Sequence, residues 1–242
     1  MKKNELKMNR ILSLVMLVLL VCICSIQNST AADYKEIISI SVGKNIGSTA
    51  MWQIAASQED TGNSYPQLPA KICFSNTSTT TQQCELAGGV EIITLEVMRF
   101  REKEEPAKGV LLMTNSAAMG GGPDYVSLWV YNKASRRFHN ILPPKLYVKA
   151  LGVYKFFSSL DEKSVLIIAD PERLIEPDDD PDDPDYKGIW SPHYYIISIY
   201  RYLPRQGFVK MRSFKTNKKY CPDGAEYKLI DLELNKIRKY LK

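Results

Sequence analysis

The sequence predicts a mainly β fold in which antiparallel hairpins form a sandwich or a small propeller-like array, followed by a short C-terminal helix. Two observations lead to this prediction. Apolar and polar residues alternate with a period of two over most of the chain, which is typical of strands with one buried face. Short stretches rich in Gly, Pro, Asn and Ser separate these runs at hairpin distances.

The first strands are expected in the N-terminal half. Apolar residues alternate with serines over 38–42, and the same alternation recurs over 91–101. A charged break at 102–108 then separates this run from an apolar segment at 109–114. We therefore expect a strand in each of the three apolar segments.

Three hairpins are expected in the second half of the chain. Each joins two apolar or aromatic runs through a short polar connection. In the last hairpin Pro204 and Gly207 mark the turn, since Pro presets φ and Gly tolerates positive φ. The paired segments are 125–131 with 136–142, 147–157 with 164–169, and 194–203 with 208–214.

The C-terminus changes to helical spacing. Apolar residues recur at intervals of four, three and four, which places them on one face of a helix. Basic residues concentrate near its end, where they suit the helix dipole. We predict a helix that packs on the sheet through Ile230, Leu234, Ile237 and Leu241.

Two of the hairpins share a layout. Leu128-Trp129-Val130-Tyr131 with Phe138 corresponds to Ile199-Tyr200-Arg201-Tyr202 with Phe208. This layout resembles the blade hairpins of β-propeller repeats of the FG-GAP and VCBS type. The Asp-x-Asp-x-Asp-Gly calcium run of many such repeats is absent before both hairpins, so the resemblance implies an antiparallel sheet and carries no function.

Residues 1–32 have the composition of a secretory signal peptide. An apolar run at 11–26 follows four basic residues and precedes small residues at 29–32. The run is shorter than the about twenty residues that a membrane-spanning helix needs. We predict export to a periplasm or the cell exterior, with residues 33–242 as a single β-rich globular domain without a membrane span. An uncleaved N-terminal anchor is the alternative.

Cysteine usage fits an oxidising compartment. Removal of the signal segment leaves Cys73, Cys84 and Cys221, and a bridged pair is expected after export. Cys73 and Cys84 flank the polar stretch 74–83, which is interpreted as a loop. We predict a Cys73–Cys84 disulfide, with Cys221 left as a free thiol.

The charge balance of residues 33–242 excludes one class of partner. This part contains 28 basic and 26 acidic residues. A nucleic-acid-binding domain is expected to be strongly basic. We therefore expect no nucleic acid as partner.

The most unusual stretch is the acidic segment, residues 170–185, which contains nine acidic residues, one arginine and four prolines. It is interpreted as a docking loop for a basic protein partner, and alternatively as a calcium site or a solvated loop without a partner. Its counterpart is the region 201–242, with 12 basic and 4 acidic residues. The candidate partner-binding residues are Asp178, Asp179, Asp180, Asp182 and Asp183.

Motifs for catalysis are absent from the sequence. It has no Gly-x-Ser-x-Gly and no His-Glu-x-x-His, and His139 and His193 are its only histidines. The favoured hypothesis is therefore a non-enzymatic binding protein, such as an inhibitor or immunity-type protein, with no cofactor, metal or catalytic residue assigned. One alternative is a calcium-dependent surface module.

Another alternative is a secreted polysaccharide or peptidoglycan hydrolase. Such an enzyme needs two carboxyl groups on either side of the scissile bond. The carboxyls would come from Asp170, Glu172 and Asp185, and the sugar platform from Trp190, Tyr194 or Tyr195. The oligomeric state is left open.

Overall fold

Thirteen strands and two helices are formed by the residues that the structure describes, which are 33–43, 46, 48–62, 64–102, 105–116, 122–173 and 190–242. The structure is a computed structural model. The predicted signal peptide, residues 1–32, lies outside the described residues.

The strands form three sheets. The first sheet contains β1 (Tyr34–Val42), β2 (Trp52–Glu59), β3 (Lys71–Asn76) and β4 (Gln82–Leu86). The second contains β5 (Glu91–Glu102), β6 (Glu105–Asn115), β7 (Asp124–Asn132), β8 (Arg137–Asn140) and β9 (Tyr147–Val148). The third contains β10 (Val153–Leu160), β11 (Lys163–Pro171), β12 (Tyr195–Leu203) and β13 (Gly207–Lys215). The helices are α1 (Pro222–Leu232) and α2 (Leu234–Leu241).

Each sheet is an antiparallel meander. Consecutive strands are neighbours in every sheet, except that β9 pairs with β7. Antiparallel neighbours need only short connections, which explains why the chain completes one sheet before it starts the next. The predicted mainly β, antiparallel fold is confirmed.

Apolar side chains lie in three layers. The first layer lies between the first and second sheets, the second between the second and third sheets, and the third between the third sheet and the helices. Rings are concentrated in the first layer, where Phe74 and Phe138 stack with centroids 4.1 Å apart. Trp52 meets Phe138 edge-on at 5.2 Å.

The period-two geometry of a strand explains how one strand serves two layers. Successive side chains of a strand point to opposite faces. On β6, Val110 lies in the first layer and Leu111 in the second. On β11, Leu166 lies in the second layer and Ile167 in the third. Strands buried on both faces therefore have continuous apolar runs instead of alternating ones.

The disulfide joins β3 and β4. Cys73 and Cys84 are directly paired across the ladder, and their predicted bridge is present with a Cα–Cα distance of 4.1 Å. The stretch between them is only partly a loop, because β3 continues to Asn76 and β4 begins at Gln82. Pairing of β3 with β2 and burial of Phe74 extend the strand beyond what its polar composition indicates.

The amide of Gln83 ties the first sheet to the second. It donates to the carbonyl oxygen of Phe138 at 2.8 Å and accepts from the Phe138 N–H at 2.9 Å. A side chain of β4 thus satisfies both backbone groups of a residue on β8. These two hydrogen bonds connect the first and second sheets where, among the described residues, no strand of one sheet pairs with a strand of the other.

Two predicted elements are each divided in the structure. The segment predicted as one strand over 147–157 consists of β9 and β10, separated by a turn at Lys149–Gly152. The predicted C-terminal helix is two helices that meet at Glu233, whose backbone angles (φ −91°, ψ 1°) are not helical. Ile230, Ile237 and Leu241 are nevertheless buried in the third layer, so the predicted apolar face is confirmed.

Candidate functional site

The candidate site is on the second-layer side of the third sheet, where polar residues border the apolar layer. We call it the polar face, and its members are Lys149, Asp170, Ser198, Tyr200, Lys210, Ser213 and Lys215. Directly paired residues of neighbouring strands share a face. Cross-strand pairing therefore forms three rows, which are Leu166–Tyr200–Lys210, Ile168–Ser198–Ser213 and Asp170–Ile196–Lys215. Each row runs from β11 towards an exposed residue on the edge strand β13.

Asp170 lies at the end of β11, against the turn that follows β9. Its Oδ1 accepts a hydrogen bond from the Lys149 backbone N–H at 2.7 Å. A Cβ on Gly152 would lie 2.7 Å from the same oxygen, so the turn needs glycine there to approach the carboxylate. Burial raises the pKa of Asp170, although the Lys149 N–H and the charges of Lys149 and Lys210 act against this rise.

The turn beside Asp170 has a strained residue. Leu151 has a φ of 61°, in the left-handed region that bulky side chains rarely adopt. The Gly152 N–H closes the turn on the Lys149 carbonyl at 2.8 Å. Tyr195 donates its hydroxyl hydrogen to the Leu151 carbonyl at 3.3 Å. Contacts with two strands of the third sheet thus hold the strained turn in place.

A phenol and an ammonium group share the face with this carboxylate. Burial raises the pKa of Tyr200, and the charges of Asp170 and Tyr147 raise it further. The Lys210 Nζ lies 6.0 Å from the centre of the Tyr200 ring. In the next row the hydroxyls of Ser198 and Ser213 are 3.2 Å apart. The face therefore offers donors and acceptors for hydrogen bonds.

The acidic segment begins beside this face. The Glu172 N–H donates to the Tyr194 carbonyl at 2.8 Å, which continues the β11–β12 pairing one step beyond Pro171 and Tyr195. The Glu172 carboxylate pairs with Lys215 on β13 at 2.5 Å. We call these contacts the root of the acidic segment. The candidate residues Asp178, Asp179, Asp180, Asp182 and Asp183 lie outside the described residues.

Basic residues of the C-terminal region lie over aromatic rings. Lys215 is 4.2 Å from the centre of the Tyr194 ring, and Arg212 is 4.5 Å from that of Tyr240. Such cation–π contacts are worth about 0.5–1 kcal/mol at exposed sites. The Tyr194 ring therefore favours a position of the Lys215 ammonium next to the root of the acidic segment.

The two residues with thiol or imidazole chemistry near this region differ in exposure. His193 has no exposed surface, and its backbone pairs with that of Tyr220 through hydrogen bonds of 2.9 and 2.8 Å. Cys221, the next residue, is exposed and precedes α1. A general base must reach the group that it deprotonates, and a fully enclosed His193 side chain supports a structural role.

The carboxyls and rings of the hydrolase hypothesis occupy different environments. Asp170 is engaged by the Lys149 turn, Glu172 is paired with Lys215, and Asp185 lies outside the described residues. Trp190 is 47% exposed, whereas Tyr195 is 2% exposed and packs in the third layer. A buried ring cannot serve as a sugar platform, so the role proposed for Tyr195 is excluded.

Sequence reasoning missed Lys149, Ser198 and Ser213 as members of this face. Ser198 interrupts an otherwise apolar strand, which is a local signal of a polar position on the sheet. Lys149 and Ser213 show no such signal, since only tertiary pairing brings them to Asp170 and Ser198.

Among the described residues no group of three or more His, Cys, Asp or Glu side chains is arranged to hold a metal ion. Over the same part of the chain, no helix is both long and apolar enough to span a bilayer.

Fold and site together define an antiparallel three-sheet β protein with a charged face on its third sheet. No protein-family model, curated protein or solved structure matches the chain. The function is therefore inferred from the chemistry of the residues themselves.

Proposed function

We propose that the protein is an exported, non-enzymatic binding protein of the inhibitor or immunity type, whose acidic segment docks a basic protein partner. The observation on which the proposal rests is the closure of the β11–β12 hairpin at Glu172 and Tyr194. Residues 173–193 are therefore an insertion between two strands that already pair without them.

The length and charge of this insertion support a binding role. The connection between β11 and β12 spans residues 172–194, far longer than the about four to six residues that are typical of connections in compact domains. Residues 176–185 add seven acidic side chains and no basic one to the insertion. Binding residues are often placed on loops that a rigid scaffold positions, and the third sheet, buried on both faces, is such a scaffold.

The root of the segment supports the same role. Asp170 and Glu172 each have a structural partner, in the Lys149 N–H and the Lys215 ammonium. Because Asp170 and Glu172 are engaged within the chain, we assign the partner to the acidic residues from 176 onward. The Cys73–Cys84 disulfide is compatible with the oxidising compartment that export implies.

Affinity capture tests the proposal. The parent protein, immobilised, is expected to retain a basic protein from the envelope fraction of its own cells. Alanine at Asp178, Asp179, Asp180, Asp182 and Asp183 should reduce retention of that protein at least tenfold, because the attracting charges are gone. The matched control replaces five other exposed acids by alanine, namely Asp33, Glu36, Asp60, Glu96 and Glu162.

The two variants carry the same change in net charge, so only the position of the charges differs. Retention that falls equally in both variants would indicate non-specific attraction and contradict the proposal. Retention that survives in the acidic-segment variant would contradict it as well.

A polysaccharide or peptidoglycan hydrolase is the second candidate, and one observation favours it. Burial raises the pKa of Asp170, as the general acid of a glycosidase requires. Purified peptidoglycan incubated with the parent and with Asp170→Asn provides the test. Release of soluble fragments by the parent and its loss in the variant would support the hydrolase, whereas an inactive parent would remove it.

A further inference from the structure

The outer edge of the third sheet is exposed along the middle of its last strand. β13 is the terminal strand, and its residues 210–213 are all exposed. The neighbouring strand β12 is buried over residues 197–200. We propose that the edge of β13 is a docking site for an extended acidic polypeptide of a partner protein, which adds to the sheet as a further strand.

The backbone of β13 has an open stretch between two occupied ends. At its start the Phe208 N–H donates to the Ile141 carbonyl at 2.7 Å. At its end the Lys215 carbonyl accepts from the Lys236 ammonium at 3.2 Å. Between these positions β13 pairs with no strand other than β12 among the described residues. An added strand would pair with the outward N–H and C=O groups of this stretch.

The charge of the edge selects the partner. β13 contains Lys210, Arg212 and Lys215 and no acidic residue. Its pairing with β12 shifts register between Lys210 and Arg212, so these two cations lie on opposite faces. Opposite charges stabilise cross-strand pairs. A strand with acidic residues on both faces therefore matches this edge.

One carboxylate already binds at this edge. Glu172, the residue that follows β11, pairs with Lys215 at 2.5 Å. The contact shows within the molecule the pairing that an acidic partner would repeat along the strand.

The aromatic rings beneath the edge favour a polypeptide over a nucleic acid. The Lys236 ammonium lies 4.4 Å from the Phe214 ring centre, and Arg212 lies 4.5 Å from that of Tyr240. A base stacks on an available ring face, and cations cover these two rings. Neither a nucleic acid nor an anionic lipid has the backbone groups that continue a β-ladder.

The edge strand β1 provides an internal comparison. It is also terminal in its sheet, has nine residues and is largely exposed. Its Lys35 is followed by Glu36, so its charge is mixed. An acidic strand is therefore attracted to β13 and not to β1.

Binding of a synthetic peptide tests the proposal. The probe is an acetylated hexapeptide amide, Asp-Asp-Val-Val-Asp-Asp, labelled with a fluorophore, which presents Asp on both faces of a strand. Its analogue carries an N-methyl group on every residue. Both have the same charge, but no residue of the analogue can donate a backbone hydrogen bond from either edge. We expect the parent protein to bind the analogue at least tenfold more weakly than the unmethylated probe.

Variants locate the binding on the strand. Arg212→Glu is expected to lower the affinity for the unmethylated peptide at least tenfold. Lys35→Glu is expected to lower it less than twofold. The thermal midpoint of each variant checks that it folds, and the peptide comparison on the parent protein does not depend on any variant.

Several results would overturn the proposal. The first two are equal affinity of the parent for the two peptides and binding of neither peptide. The third is an equal loss of peptide affinity in Arg212→Glu and Lys35→Glu. The fourth is displacement of the peptide by an oligothymidylate or by phosphatidylglycerol vesicles, together with an unchanged affinity of Arg212→Glu for the peptide. The acidic-segment alanine variant is expected to bind the peptide as tightly as the parent does. A failure of the β13 docking proposal can therefore be distinguished from a failure of the proposed function.

Discussion

The first and third sheets are both four-stranded antiparallel meanders, but they differ in what covers them. On β2, buried and partly exposed residues alternate, so only one face of the first sheet is in an apolar layer. On β11, residues 164–169 are all buried, and the third sheet has an apolar layer on each face. The first sheet is cross-linked by a disulfide, whereas the third has charged groups at its margin.

The difference shows how burial and covalent constraint substitute for each other. Full burial of a large aliphatic side chain is worth about 1.5–3 kcal/mol. A disulfide that closes a loop as short as that between Cys73 and Cys84 is worth about 3 kcal/mol in the chain-entropy model. The disulfide therefore contributes about as much to the free energy of unfolding as the burial of one or two large aliphatic side chains, which the first sheet lacks on its outer face.

The largest expected effect is that of removing the disulfide. Replacing Cys73 and Cys84 by Ser should lower the free energy of unfolding by about 3 kcal/mol, because the unfolded chain regains loop entropy. Urea unfolding measures this loss. Native-state amide exchange should accelerate in β3 and β4 and stay slow in β11 and β12.

A matched control is Cys221→Ser, which changes an exposed cysteine outside the bridge and should leave stability within about 0.5 kcal/mol. Equal acceleration of exchange in the first and third sheets would contradict the contrast between them.

The second effect concerns the carboxyl at the margin of the third sheet. Asp170→Ala should cost about 1–3 kcal/mol, because the Lys149 N–H loses its acceptor. Asp170→Asn keeps an oxygen acceptor and should cost less. Thermal unfolding of the two variants measures the difference.

The difference in stability between the parent and Asp170→Asn should depend on pH, with a sign that the pKa of Asp170 determines. Because burial raises the pKa of Asp170 above its ordinary value of 3.8, the folded chain binds this proton more tightly than the unfolded chain. The stabilisation that comes from the protonated Asp170 carboxyl is complete below its ordinary pKa. It is lost as the pH rises through the pKa that Asp170 has in the folded chain. The stability of the parent minus that of Asp170→Asn should therefore fall with pH in this window. A rising difference would show that the hydrogen bond dominates instead.

The smallest effect tests the tolerance of the third sheet for an unfavourable turn. Asp161 and Glu162 connect β10 to β11 with φ values of 49° and 64°, in the left-handed region. Gly adopts this region without the side-chain clash, so Glu162→Gly should stabilise by up to about 1 kcal/mol. The thermal midpoint measures the gain. Lys133→Gly, at an exposed turn residue without positive φ, is the control and should bring no gain.

Local pattern predicted much of the strand content. The alternation over 38–42 and 91–101 corresponds to β1 and β5, since one buried face imposes a period of two on the sequence. The polar stretch 74–83 misled the prediction, because Phe74 and its pairing with β2 extend β3 into it. The single strand expected over 147–157 also failed, since the strained turn at Leu151 depends on contacts from Asp170 and Tyr195.

Three features follow from the sequence alone, namely the strand periodicity, the cysteine pair and the opposed charges of the acidic segment and the C-terminal region. These are properties of neighbours along the chain, and physical chemistry acts on them locally. In contrast, the position of Asp170, Tyr200 and Lys210 on one face and the open edge of β13 follow from the folded arrangement of the strands. The reason is that strand register and sheet order join residues far apart in sequence, and no local pattern specifies that pairing.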